Sequence, residues 1–193
     1  MLFRAASPKR AFVFLETVYA MAEPLLSVVS EAVAKKKNTS QFVGFQLAGQ
    51  DYAFRIEQIQ EIVILEQVTK TPQVPAYVEG VSNLRGSIIP IINLRKLFGL
   101  EPKPVDSETR TVVVNVGDRT MGCMVDMVSQ VMRIPEENMR PAPETVTAGG
   151  AHYISGFARQ NGRLIILLDI DELLDPRKLD QVSQAAIQDV KVP

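Results

Sequence analysis

Few side chains in this sequence have a type and spacing that could do chemistry. His152 is the only histidine. A single imidazole excludes a multi-histidine metal site, and a Ser-His-Asp triad would rest on it alone. No Ser or Cys lies in a nucleophile-elbow pattern. A small hydrolase using His152 is the catalytic reading; a loop or packing residue beside Tyr153 is the plainer one. Cys123 is the only cysteine. It excludes an internal disulfide and fits a reducing cytoplasm. Lying in an apolar strand pattern, it reads as a small core residue rather than a nucleophile. Asp169, Asp171, Glu172 and Asp175 cluster around Ile170, Leu173 and Leu174. That spacing lacks the glycine turn of a calcium loop, so a helix with its acids outward explains it better than a metal site. Neither a G-x-x-x-x-G-K-[ST] loop nor a C-x-x-C pair occurs. What remains is Arg85, between Leu84 and Gly86. A guanidinium is the side chain best suited to a bidentate grip on a carboxylate. Arg85 is either such a recognition residue, a donor to loop carbonyls, or a solvated loop charge.

The elements around Arg85 must hold it at the surface. Asn83 and Gly86 are turn residues, since each tolerates backbone angles that others avoid. Tyr77 to Leu84 reads as a short helix or turn. Ile88 to Ile92 is β-branched and almost wholly apolar, as in a strand buried on both faces. Pro90 cannot donate to a ladder, which predicts an edge strand or a bulge there.

The same design occurs twice. Gly86 pairs with Gly162, and at that offset Tyr77, Gly80, Asn93, Leu94 and Leu97 pair with Tyr153, Gly156, Asp169, Ile170 and Leu173. Upstream, Tyr52, Ile56, Glu57, Ile59 and Ile62 pair with Met121, Val125, Asp126, Val128 and Val131 at a slightly shorter offset. The second copy is therefore longer between its blocks, and turn-rich Pro141 to Gly150 is where the extra residues fall. Self-similarity on this scale marks two copies of one small unit. Each copy holds about five short strands, which predicts a small barrel. The strands run from Gln41 through a hairpin at Ala48–Asp51, a helical turn near Glu57, and Ile62–Ile64. After the extended, proline-bounded linker Thr71–Pro75 comes the Arg85 turn. A second block begins at Thr111.

The 193 residues suit one domain or two small ones. Basic and acidic residues nearly balance, at 21 and 22, so nothing asks for nucleic acid or an anionic membrane as partner. No Trp and few aromatics argue against a stacking platform for bases. No run reaches the length of a membrane span. Ala11 to Ala22 comes nearest but contains Glu16, and it lacks a clear signal-peptide cleavage region. Residues 1–40 read as an extension, helical through Leu25, Leu26, Val28, Val29, Ala32 and Val33, or as a mobile arm; Met21 is an alternative start. Residues 177–193 read as a C-terminal tail or helix.

Taken in order, Gln60-Glu61-Ile62, the Thr71–Pro75 linker, Gly80 to Gly86, Ile89-Pro90-Ile91, Asn93-Leu94-Arg95 and Arg140-Pro141-Ala142-Pro143 resemble the chemotaxis coupling protein family, CheW. The likeness covers about 41–176, with a first repeat at about 41–100 and a second at about 109–174. It implies a mostly β fold of two intertwined, SH3-like, five-stranded barrel subdomains with short helices. It also implies no enzymatic activity and no cofactor. Such proteins connect the cytoplasmic signalling tips of chemoreceptors to the regulatory domain of a CheA-type histidine kinase. They work in the cytoplasm at membrane-associated receptor arrays, where contacts among CheW-like domains build rings. The resemblance places Arg85, with Asn83 and Leu84, at the receptor contact. It places Ile59, Glu61 and Ile62 at the kinase contact. The long N-terminal extension departs from the family's compact form, which leaves open a paralogue serving a type IV pilus or other Che-like system, or a competitor of the coupler.

Overall fold

The structure, a computed structural model, describes residues 39–65 and 67–175. Eleven strands form two sheets among these residues. Strands β1 (Thr39–Leu47), β2 (Gln50–Arg55), β8 (Met127–Pro135), β9 (Met139–Pro141), β10 (Ile154–Gln160) and β11 (Arg163–Leu168) make a six-stranded sheet in the order β8-β1-β2-β11-β10-β9. Strands β3 (Ile59–Val63), β4 (Val78–Leu84), β5 (Ser87–Asn93), β6 (Arg110–Val116) and β7 (Arg119–Val125) make a five-stranded sheet in the order β3-β6-β7-β5-β4. The sixth strand of the first sheet is the three-residue β9. The remaining helices are short: α1 (Leu94–Leu97), α2 (Glu144–Thr147) and α3 (Ile170–Leu173).

The sheets do not coincide with the sequence repeats. Each takes its opening hairpin from one repeat and its later strands from the other. Within each sheet one parallel pairing joins the two repeats, β2 with β11 in the six-stranded sheet and β5 with β7 in the five-stranded one. The five-stranded sheet is thus contiguous in sequence, and the six-stranded one closes around it from both sides. A repeat read as one barrel is corrected to a repeat shared between two, because a parallel neighbour cannot be supplied by a tight turn.

This exchange buries several strands on both faces. On β6, Val113 joins a cluster with Ile89, Ile91 and Met124 inside the five-stranded sheet. Its neighbours Val112 and Val114 face the opposite way, into the largest cluster, with Phe45, Phe54, Cys123 and Leu168. On β11, Ile165 and Leu167 join Phe42, Ala53 and Ile134 within the six-stranded sheet, while Ile166 and Leu168 face the shared core. Uninterrupted apolar runs are the sequence signature of such strands. Each helix after a final strand plugs the shared core. Asn93 caps α1 by accepting the Lys96 N–H, and Asp169 caps α3 by accepting those of Asp171 and Glu172. Leu94, Leu97, Ile170 and Leu173 are fully buried.

Other expectations are revised. Tyr77 to Leu84 is mostly strand β4, not helix. Its inward positions are Gly80 and Ser82 rather than large apolar residues, which hides the alternation; Ser82 Oγ donates to the Gln67 carbonyl at 2.9 Å. Ile88 is 75% exposed, so the buried run begins at Ile89. β5 is an interior strand, and the irregularity in its pairing falls between Val78 and Gly80, away from Pro90. Pro90 sits opposite Val81, which spends both backbone groups on Thr69 at 2.8 and 2.9 Å, and β5 meets β7 only from Ile91. The missing N–H therefore falls where no ladder bond is required. Strand β1 starts at Thr39, ahead of Gln41. The rest of the 1–40 extension and the helix read over 177–193 lie outside the described residues.

Candidate functional site

Arg85 stands at the tip of the β4–β5 hairpin. Its φ of 51° and the 91° of Gly86 place both turn residues in the left-handed region that a two-residue hairpin of the primed type requires. Asn83 Oδ1 accepts the Gly86 N–H at 2.8 Å and pins the turn. Leu84 packs against the Ile89 and Ile91 cluster, so it anchors the hairpin while Arg85 projects. The Arg85 side chain is 79% exposed, and its Nη2 lies 2.7 Å from Glu61 Oε2.

Glu61 lies on β3, whose pairing with β6 slips between Ile59 and Glu61. Ile59 faces Val114 and packs on the shared core. After the slip Glu61 faces Val113, on the side of the five-stranded sheet's own core. Its carboxylate is 17% exposed at the rim, where Arg85 reaches it. Ile62 is exposed. The two residue sets expected at different partners thus adjoin, joined by one ion pair.

Sequence reasoning missed the apolar surface beside them. Ile64 is 66% exposed, like Ile88, although both are β-branched and lie next to apolar runs. A groove of about 420 Å³ opens between the end of β3 and β4, lined in part by Val63, Ile64, Leu65, Asn83 and Leu84. Alternation along β3 beyond the slip, with Glu61 and Val63 on one face, was the available signal for Ile62 and Ile64 on the other.

The other candidates are accounted for by packing or exposure. His152 is exposed in the segment before β10. Cys123 is fully buried, and burial pushes its thiol up to about 12, far from a reactive thiolate. The acidic cluster caps and solvates α3, with Asp171 also accepting from Gln58 Nε2 at 2.9 Å. Among the described residues no group of three or more His, Cys, Asp or Glu is placed to hold a metal ion. No helix among them is long and apolar enough to cross a membrane.

Comparison with known proteins bears on this geometry. Residues 41–178 match the family model of the CheW-like domain. The chain is 37% identical over 146 residues to a chemotaxis protein CheW of Klebsiella aerogenes, covering 76% of this chain and 88% of that protein. It is 31% identical over 156 residues to the chemotaxis protein CheW of Bacillus subtilis, covering 81% and 97%. The crystal structure of the scaffolding protein TtCheW from Thermoanaerobacter tengcongensis superposes with a TM-score of 0.66 at 30% identity, over 72% of this chain and 94% of that one. That structure shares the two SH3-like subdomains.

Proposed function

This chain belongs to the CheW-like family, a family of chemotaxis scaffold proteins, and from that premise we propose that it couples chemoreceptors to a CheA-type histidine kinase without catalysing a reaction itself. In this reading Arg85, Asn83 and Leu84 contact the receptor's cytoplasmic signalling tip. Ile59, Glu61 and Ile62 contact the kinase regulatory domain. The protein acts in the cytoplasm at membrane-associated receptor arrays, alongside other CheW-like domains. The observation that carries the reading is the ion pair of the exposed Arg85 with Glu61, which adjoins an aliphatic groove lined in part by Val63, Ile64, Leu65 and Leu84. An aliphatic patch with a charged rim is the anatomy of a protein docking surface. A receptor carboxylate that draws on Arg85 would compete with Glu61 for the guanidinium, so engagement at one set alters the charge presented at the other. That shared charge gives a scaffold a means of making two contacts interdependent.

The test is co-purification of the chain with a receptor cytoplasmic fragment and a CheA-type kinase, followed by a receptor-dependent kinase assay. A ternary complex in which kinase activity follows the receptor is expected. A chain that binds one partner but excludes the other would be a competitor, and the coupling reading would fall.

A further inference from the structure

The motif Asn93-Leu94-Arg95 contributes a side chain that the docking reading does not use. Arg95 lies on α1 and meets Asp126 in the bend between β7 and β8. Nε lies 2.6 Å from Oδ1 and Nη2 lies 2.9 Å from Oδ2, a bidentate pair. Both side chains are largely covered, at 15% and 13% exposure. Arg95 Nη1 also donates to the Glu101 carbonyl. Asp126 Oδ2 accepts the Ala48 N–H at 2.8 Å, and the Asp126 N–H donates to the Gln46 carbonyl at 3.1 Å. Asp126 therefore ties three things together: the bend where the chain leaves the five-stranded sheet, the helix that follows β5, and the β1–β2 hairpin of the six-stranded sheet.

The internal repeat supplies a control within the molecule. The chain crosses between the sheets a first time at Ile56–Gln58, between β2 and β3, and the helix related to α1 is α3. There Gln58 Nε2 donates an exposed hydrogen bond to Asp171 Oδ2 at 2.9 Å, and among the described residues no covered bidentate pair forms at the matching positions Glu57 and Asp171. Arg95 and Asp171 occupy matching positions in the two repeats, as do Asp126 and Glu57. The two crossings are thus held unequally. A covered, bidentate Arg–carboxylate pair is strong and fixes orientation, whereas a single exposed hydrogen bond does neither.

We propose that Arg95 and Asp126 are a positioning pair: they latch the β7–β8 crossing and set the angle between the two barrels, leaving the Ile56–Gln58 crossing as the compliant one. A scaffold's surfaces act together only if their mutual geometry is kept, so the pair maintains that geometry without touching a partner. This inference rests on the fold rather than on the identity of the partners. Hydrogen bonding to Asp126 raises the Arg95 pKa further, in keeping with a cation held in place.

The experiment is a spin-label distance measurement on the full chain carrying Asn115→Cys and Arg159→Cys, one exposed strand position in each sheet. Buried Cys123 stays unlabelled in the folded protein. A narrow distance distribution is expected for the parent. Arg95→Gln and Asp126→Asn should broaden it or add a second population while the circular dichroism spectrum stays native. Arg95→Lys, which keeps the charge but loses the fork, should give an intermediate width. Gln58→Ala should leave the distribution as it is. Unchanged widths in folded Arg95→Gln and Asp126→Asn would overturn the proposal. So would loss of all folded protein in both, since the pair would then be a core support rather than a latch. Failure of the coupling assay with normal distances would count against the proposed function and not against the latch.

Discussion

Arg85, in the turn that follows edge strand β4, and Glu61, in the middle of edge strand β3, meet at 2.7 Å across the open side of one sheet. β3 and β4 are the outer strands of the five-stranded sheet, with three strands between them. The slip in the β3–β6 register turns Glu61 toward the rim, and the positive φ values at Arg85 and Gly86 aim the guanidinium at it. A strand irregularity and a turn type thereby present one carboxylate and one arginine at a single docking surface.

Arg85→Ala should separate binding from folding. An ion pair with so exposed a partner contributes at most about 1 kcal/mol to stability. The melting temperature should barely move. A charge-assisted contact dried by a partner costs about 2–5 kcal/mol when truncated, and about 1.4 kcal/mol is tenfold in affinity. Receptor-fragment affinity, measured by titration calorimetry, should fall tenfold or more, and kinase affinity should fall less. Equal receptor affinity for variant and parent would leave Arg85 a solvated turn residue.

Neighbouring isoleucines on β5 should behave oppositely. Ile91 is fully buried, and truncation to Ala should cost about 2–5 kcal/mol. Ile88 lies three residues earlier in the same apolar run but is mostly exposed, so Ile88→Ala should stay within about 0.5 kcal/mol. Urea denaturation midpoints of the two variants decide this. Equal shifts would contradict the burial assigned here.

Much of this was legible in the sequence, and the failures share a cause. Repeats, hairpin turns and the helices at Leu94–Leu97 and Ile170–Leu173 are local, set by turn residues and short apolar spacing. The capping roles of Asn93 and Asp169 follow from their place ahead of Leu94 and Ile170. The exchange of hairpins between repeats is not local: nothing in Ile91 states that its neighbour will be Gly122. Strand β4 was hidden because small residues fill its inward positions. The adjacency of Arg85 and Glu61 was hidden because both come from sheet edges brought together only by curvature. Residue types pointed to an arginine suited to carboxylates; the three-dimensional fold supplied the carboxylate it already holds.

Two paired glycines should be intolerant for a steric reason. A Cβ on Gly80 would sit 2.2 Å from the Thr69 carbonyl oxygen, and one on Gly156 would sit 2.4 Å from that of Arg140. Backbone cannot yield as a side-chain tip does, and overpacking of this kind costs roughly 1–3 kcal/mol. Gly80 adds strain, since its φ is +148°. Gly86 has a positive φ but open space around it, so Gly86→Ala should cost only the backbone term, about 1–2 kcal/mol. Chemical denaturation should therefore rank Gly80→Ala as more damaging than Gly86→Ala. The reverse order would mean that the Thr69 segment does not pack against β4 as described.

Cys123 makes the stability of the chain fall in alkali, with a sign fixed by burial. The thiol is fully buried among Val112, Val114 and Leu168, and desolvation raises its pKa from an ordinary 9.0 to about 12. The neutral thiol is the form the folded state accepts. Below about 9 both states keep the proton and the group is silent in the pH profile. Above it the unfolded chain ionises while the folded chain does not, so the folded state binds more protons and stability declines. The decline approaches about 1.4 kcal/mol per pH unit for one group, and it levels off once pH passes about 12, where the folded thiol also ionises. Cys123→Ala should remove that part of the slope between 9 and 12 at some cost in stability at neutral pH, because it leaves a small cavity. The same burial protects the thiol, so a thiol reagent should modify it in the parent only as fast as the shared core opens. Urea unfolding of parent and Cys123→Ala across this pH range, with reagent kinetics alongside, checks both consequences. Identical alkaline slopes for the two proteins, or rapid modification of the native chain, would mean that Cys123 is not enclosed by that core.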